Sequence, residues 1–250
     1  MPSKKIYFIS DLHIGNRYLQ NPSDAVRKLL QWLDEIKKDA AAVYFLGDIF
    51  DFWFEYKYVV PRGHVRFLGK LAEMSDNGIE IHFIIGNHDI WMFEYLTEEV
   101  GVVIHRKPFI VELLGKNIFL GHGDEVGYRP YKYRFIQSIF RNRLCQTLYA
   151  AIHPRWSVGF ARACSLKSRK NGLTSEKIKQ AQVRNAKALE DFSRTCLQTH
   201  PNIHFFIFGH LHLLLDRELS TSARLLIVGD WMHLFSYAVW DGEQMILRRF

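Results

Sequence analysis

Cysteine is scarce in this chain: Cys145, Cys164 and Cys196 are odd in number and widely spaced among 250 residues. That pattern excludes a disulfide framework and a zinc finger, and leaves reduced packing residues. Long apolar runs are absent as well. No stretch of about 18 uncharged apolar residues exists, so no membrane-spanning helix is expected. Met1-Pro2-Ser3-Lys4-Lys5 leads straight into an apolar run without a cleavable signal, which points to the cytoplasm. Internal repeats and low-complexity tracts are missing too. What remains is 48% hydrophobic, enough to bury a full core as a single domain over residues 1–250.

Five short apolar runs stand out: Ile6–Ile9, Val43–Leu46, Ile81–Ile85, Ile118–Leu120 and Phe205–Phe208. They are continuous and rich in β-branched and aromatic residues, as buried strands are. Each ends in a hydrophilic cluster. In order these read Asp11-Leu12-His13, Gly47-Asp48, Gly86-Asn87-His88-Asp89, Gly121-His122-Gly123-Asp124 and Gly209-His210-Leu211-His212. Function in layered α/β proteins gathers at such strand ends.

The residue types say what kind of site this is. Carboxylates, imidazoles and one amide, with no thiolate, suit a hard to borderline divalent ion such as manganese, iron or zinc. Two ions about 3.5–4 Å apart would clamp both the attacking and the leaving oxygen of an in-line displacement at phosphorus. The expected chemistry is phosphoester hydrolysis. A lone Asp-x-His or Gly-Asp occurs by chance as a cap or turn, but five such clusters, each closing an apolar run, do not.

Together, the five motifs and their order resemble the calcineurin-like metallophosphoesterase superfamily. The resemblance implies that Asp11, His13 and His212 bind one ion, that Asn87, His122 and His210 bind a second, and that Asp48 bridges them. It implies two divalent ions, with manganese the expected metal. Within the superfamily the chain is most similar to bacterial UDP-2,3-diacylglucosamine pyrophosphohydrolases of lipid A synthesis. The text that carries this is Ser10-Asp11-Leu12-His13, Gly47-Asp48-Ile49-Phe50-Asp51-Phe52-Trp53, the His122-Gly123-Asp124 cluster with an aromatic and basic insert after it, and Gly229-Asp230-Trp231-Met232-His233. The reaction so implied splits UDP-2,3-diacylglucosamine into UMP and 2,3-diacylglucosamine 1-phosphate.

One departure matters: the better-known members of that family have arginine where this chain has His88, whereas the wider superfamily has histidine. A sugar phosphate leaves easily as an anion beside a fixed cation, while an alkoxide gains from a general acid such as imidazolium. His88 therefore fits a pyrophosphatase and equally a phosphodiesterase or nuclease. Asp89 beside it reads as a carboxylate that orients an imidazole or as a turn residue.

Periodicity places helices between the motifs. Val26, Leu29, Leu30, Leu33 and Ile36 predict a helix over 23–38 with Asn21 or Ser23 as cap, and a second is expected over 62–77, stopping at Gly78. Asp241-Gly242 signals a hairpin between strands at Ser236–Trp240 and 244–249. The expected fold class is α/β, a four-layer αββα sandwich with a helical insert over 126–197.

Charge is uneven. Residues 125–200 carry 15 Lys and Arg against 4 Asp and Glu, a net of +11, leaving −4 for the rest of a chain whose total is +7. The insert interleaves Tyr128, Tyr131, Phe135, Ile136, Ile139, Phe140, Leu144 and Leu148 with Arg129, Arg134, Arg141 and Arg143. A basic amphipathic helix of this kind suits an anionic membrane surface, or packs its apolar side on the body. Peripheral association with the inner membrane is the expected location. Lys167, Arg169 and Lys170, ahead of a helix over 175–195, would neutralise a diphosphate; Asn87 and His210 are expected to touch the substrate as well. The expected partners are a lipid-linked nucleotide and the membrane. No obligate protein partner is expected. Nucleic acid ranks lower because the aromatics sit at helical spacing with Leu and Ile rather than as isolated stacking platforms.

Overall fold

A computed structural model describes residues 4–16, 21–126, 131–159 and 175–250. In chain order the elements are β1 (Lys5–Ile9), α1 (Pro22–Ile36), β2 (Ala40–Phe45), α2 (Val65–Asp76), β3 (Glu80–Ile84), α3 (Tyr95–Val100), β4 (Val102–His105), β5 (Phe109–Leu113) and β6 (Lys116–Leu120). The insert follows with α4 (Tyr131–Arg141), α5 (Arg143–Ala150) and α6 (Ser175–Thr199). The chain then closes with β7 (Ile203–Phe208), β8 (Leu214–Glu218), β9 (Arg224–Val228), β10 (Ser236–Trp240) and β11 (Met245–Arg249).

The strands form two sheets, ordered β11-β10-β1-β2-β3-β4 and β5-β6-β7-β9-β8. β1, β2, β3 and β4 run parallel, as do β6, β7 and β9, while β10, β11, β5 and β8 pair antiparallel and finish every edge except that of β4. Successive side chains of a strand point to opposite faces, and the two faces of the first sheet sort accordingly. Tyr7, Ile9, Val43, Phe45, Ile81 and Phe83 pack on Leu29, Trp32 and Leu33 of α1 and on Phe67 and Leu71 of α2. Their neighbours Ile6, Phe8, Ala42, Tyr44 and Ile84 meet Ile118, Leu120, Phe205, Ile207 and Leu226 of the second sheet. The far face of that sheet, with Phe119, Phe206, Phe208 and Leu225, is covered by Leu189 and Phe192 of α6. The expected αββα sandwich is the fold observed. Burying each such side chain contributes about 1.5–3 kcal/mol, so an inward Phe206→Ala is strongly destabilising.

Helix ends follow local signals. Asn21 occupies the N-cap of α1 with Pro22 just inside, where the missing N–H is harmless. Gly78 ends α2 at φ +80, and the amides of Gly78 and Ile79 close back onto Ser75 O and Met74 O. Asp241 Oδ1 accepts from the amides of Glu243 and Gln244 at 2.9 and 2.7 Å to make the final turn.

The basic amphipathic stretch is two helices rather than one. Asn142 accepts from the amides of Leu144 and Cys145 at 2.9 and 3.2 Å, which caps α5 afresh and breaks the run. Both helices lean on the loops after β2 and β3: Trp91 Nε1 donates to Phe140 O at 2.8 Å, and the Tyr149 ring packs on Phe54 and Trp91.

Candidate metal centre

The five motif clusters converge at the carboxyl ends of β1, β2, β3, β6 and β7, in loops stitched together by backbone bonds. Asp11 N donates to Gly47 O, His13 N to Asp48 O, and Gly209 N to His122 O, at 3.1, 2.9 and 2.9 Å. Seven described non-glycine residues have positive φ, and five of them are Asp11, His13, Asp48, His210 and His212. Left-handed backbone is unfavourable for residues with a Cβ, and such conformations cluster where a site imposes them. Gly47 admits no side chain, because its Cβ would stand 2.5 Å from His122 Nδ1.

Two groups of donors match the expected ion sites, each with its atoms mutually within 4.8 Å: Asp11, His13 and His212, and Asp48, His122 and His210; a third such group, His13, Asp51 and His88, adjoins them. Asp11 Oδ2 accepts from His210 N at 2.8 Å, which leaves Oδ1 facing His13 Nε2 at 3.7 Å and His212 Nε2 at 3.5 Å. Asp48 Oδ1 likewise accepts from His88 N, and Oδ2 lies 3.7 Å from His13 Nε2 and 3.4 Å from His122 Nε2. One carboxylate oxygen thus faces both groups. Asn87 Oδ1 stands 3.3 Å from His122 Nε2.

The carboxylate–imidazole separations are long for hydrogen bonds and suit a cation between the atoms, since two donors each about 2.0–2.2 Å from one ion lie roughly 3–3.6 Å apart. Asp11 Oδ1 and both ring nitrogens of His13 are buried without a hydrogen-bond partner. Leaving such atoms bare is costly unless an ion meets them. His122 Nδ1 lies 2.7 Å from Leu46 O; a carbonyl only accepts, so this nitrogen carries the proton and Nε2 turns to the site. The electrostatics agree. Burial opposes ionisation of Asp11, yet His212 and His13 hold its carboxyl at about 2. Burial opposes charge on His122 too, yet Asp48 raises its pKa well above the usual imidazole range. The pocket demands positive charge where two carboxylates meet, and the donor set fits divalent metal.

His88 sits beside this centre, its ring 4.7 Å from that of His13 and its Nδ1 3.0 Å from Asp51 O. Asp89 does not touch an imidazole. Its carboxylate accepts from the amides of Gly86, Ile49 and Phe50 at 2.8, 2.6 and 3.3 Å, clasping the third motif to the second. A buried carboxylate needs several donors, and the nearest are backbone amides, so Asp89 orients backbone. Burial and the charge of Asp48 raise its pKa to about 7.

Two residues that the sequence reading quoted within its motifs without giving them a role belong here. Asp51 supplies the carbonyl that meets His88. Asp230, just past β9, lies 3.4 Å from His212. Gly229-Asp230 after an apolar strand repeats the pattern of Gly47-Asp48, a signal that could have found it. Lys167, Arg169 and Lys170 lie outside the described residues. The insert is tied to the centre by Gln137 Nε2 of α4, which donates to Asp124 in the fourth motif.

Comparison with known proteins agrees in its own terms. The family model described as calcineurin-like phosphoesterase matches residues 4–214. The chain is 49% identical to the UDP-2,3-diacylglucosamine hydrolase of Porphyromonas gingivalis, across 97% of this chain and 96% of that protein. It is 28% identical to the protein of the same name from Pseudomonas aeruginosa, across 90% of each. Among solved structures, a dimetal phosphatase from Danio rerio superposes with a TM-score of 0.45 at 14% identity, covering 99% of this chain and 96% of that one.

Proposed function

The chain belongs to the calcineurin-like phosphoesterase family, and on that footing we propose that it hydrolyses the pyrophosphate bond of UDP-2,3-diacylglucosamine, releasing UMP and 2,3-diacylglucosamine 1-phosphate. It is a metal-dependent phosphohydrolase. The observation that carries the reaction class is Asp48 Oδ2 facing both donor groups; the near end-to-end likeness to the Porphyromonas gingivalis hydrolase carries the substrate.

In this reading Asp11, His13 and His212 would hold one ion and Asn87, His122 and His210 the other, Asp48 would serve both, and manganese would be the metal. A bound pair of divalent ions supplies Lewis-acid activation of water and charge neutralisation at phosphorus. The protein's own groups do the rest. Leu46 O fixes the His122 ring, and Asp89 fixes the loop that presents Asn87 and His88. With Nδ1–H given to Asp51 O, His88 keeps Nε2 for the leaving oxygen, where it delivers a proton or, as imidazolium, balances charge. Lys167, Arg169 and Lys170 would contact the diphosphate by their chemistry. His88 is also what favours the second reading, a phosphodiesterase with a poorer leaving group.

The insert supports a lipid partner. Tyr131, Leu144, Leu148 and Trp156 are 80%, 68%, 62% and 70% exposed. No described helix is long and apolar enough to cross a membrane. Such a surface suits peripheral contact with an anionic bilayer on the cytoplasmic side. The deciding experiment incubates the purified chain with manganese and UDP-2,3-diacylglucosamine and follows products by mass spectrometry. UMP and the 1-phosphate should appear and vanish with EDTA. Hydrolysis of bis(p-nitrophenyl) phosphate with the lipid nucleotide untouched would favour the second reading.

A further inference from the structure

The turn joining β4 to β5 and the turn joining α4 to α5 bring Arg106, Lys107, Arg141 and Arg143 around one cavity of about 670 Å³. Its floor is apolar, with Phe54, Ile85 and Ile90. The size falls within the roughly 300–1,000 Å³ of small-molecule sites. None of the candidate metal ligands lines it.

The charge in this cavity is unbalanced. Two carboxylates, Glu55 and Glu94, share the lining with the four cations. Glu55 is already committed: Trp53 Nε1 donates to its Oε1 at 2.9 Å, and the amides of Phe93, Glu94 and Tyr95 donate to its Oε2 at 2.6, 2.8 and 3.2 Å, which closes the N-terminus of α3. Arg106 donates to Phe93 O at 3.3 Å, and none of the four cations forms an ion pair among the described residues. Like charges drawn from two separate elements repel unless an anion joins them.

The planar fork of arginine matches phosphate oxygens two at a time. α5 gives Arg143, Gln146 and Thr147 to the cavity, while Leu144 and Leu148 on the same helix stand exposed. A phosphate bound here would have apolar surface beside it. We propose that this cavity is a phosphate-recognition site separate from the metal centre, and that it holds the headgroup of an anionic phospholipid while Leu144 and Leu148 meet the acyl region. The site does not depend on which phosphoester the metal centre cleaves.

The test uses the full, metal-loaded chain. Co-sedimentation with phosphatidylcholine vesicles, with and without phosphatidylglycerol, is compared for the wild type, the triple variant K107Q/R141Q/R143Q and the control R134Q/R155Q, whose two arginines are exposed on the same insert outside the cavity. The triple variant should lose at least about tenfold in affinity for phosphatidylglycerol vesicles and the control much less. Calorimetric titration with inorganic phosphate separates the sources: a phosphate-binding class lost in the triple variant with vesicle affinity kept would assign the cavity to free phosphate instead of lipid. Equal vesicle losses in both variants mean diffuse surface charge and overturn the proposal, as does no loss in either assay. Unchanged thermal midpoint and bis(p-nitrophenyl) phosphate turnover confirm that fold and metal centre are intact.

Discussion

Asp230 Oδ2 lies 3.4 Å from His212 Nδ1, and the opposite nitrogen of that ring, Nε2, faces Asp11 Oδ1 at 3.5 Å. The other oxygen of Asp230 is held by the amides of Met232, His233 and Leu234 at 2.9, 2.6 and 3.1 Å, so the carboxylate cannot swing away. A carboxylate behind a metal-binding imidazole sets its tautomer and direction. Asp230→Asn would offer an amide donor to Nδ1 and move the ring proton to Nε2, the ligating atom. Metal affinity should fall about 10–100-fold, read by calorimetric titration of the apo-protein. Unchanged affinity would remove Asp230 from the site.

Asp48→Ala removes the one oxygen that faces both donor groups. Turnover of a generic phosphodiester should drop at least about a hundredfold, with metal content reduced by elemental analysis. Near wild-type turnover would sink the two-ion arrangement.

For His88, a leaving-group series discriminates between roles. As a general acid, His88→Ala costs roughly 10²–10⁴-fold with a poor leaving group and much less with a good one. Equal losses across the series mean that the ring positions the substrate or balances its charge. His88→Arg is the companion, and a large gain with UDP-2,3-diacylglucosamine would show that this position tunes substrate choice.

The membrane contact is best tested at Leu144 and Leu148, 68% and 62% exposed, rather than at Phe140, whose ring packs on Trp91. Leu144→Asp with Leu148→Asp should abolish vesicle association and raise KM for the acylated substrate while sparing a small soluble diester, because each buried leucine contributes about 1.5–3 kcal/mol. Parallel loss of thermal stability and of both activities would mean that these side chains pack within the protein.

A histidine pair away from the centre should sense pH. His82 Nδ1 lies 3.0 Å from His105 Nε2, and His82 Nε2 lies 3.1 Å from Glu80. Tyr44 and Phe109 stack on the two rings. Burial, and then the neighbouring His82, push the pKa of His105 from 6.5 down to about 4. The folded value lies below the unfolded one, so the pair's contribution is present above 6.5 and is lost as pH falls towards about 4. Urea unfolding of His105→Gln, which keeps a donor but does not titrate, should lose less stability than wild type across that window. Parallel stability curves would exclude the pair as the cause.

The buried parallel strands and the order of donor types along them were legible because each is local: a short apolar run says strand, and a Gly-Asp or His-x-His after it says a turn fit to carry a ligand. The clusters holding Asp11, His13, Asp48, Asn87, His122, His210 and His212 were marked that way, the family resemblance supplied their roles as ligands, and the structure gathers them. Asn142 carried a cap signal that helical periodicity hid, since both halves of the run keep the same apolar spacing. Other features had no local trace. Strands β4, β5, β8 and β9 were not singled out, and nothing in their own residues says which of the two sheets each joins. The turn of Asp89 towards backbone, the reach of Asp230 to His212 and the meeting of Arg106 with Arg141 depend on which loops the two sheets bring together. The sequence by itself determined the chemistry available and the strand ends that carry it, because residue type and period are properties of short segments. Only the tertiary structure decided which nitrogen faces which oxygen, because that is set by the packing of residues far apart in the chain, as Asp11 and His210 are at 199 positions.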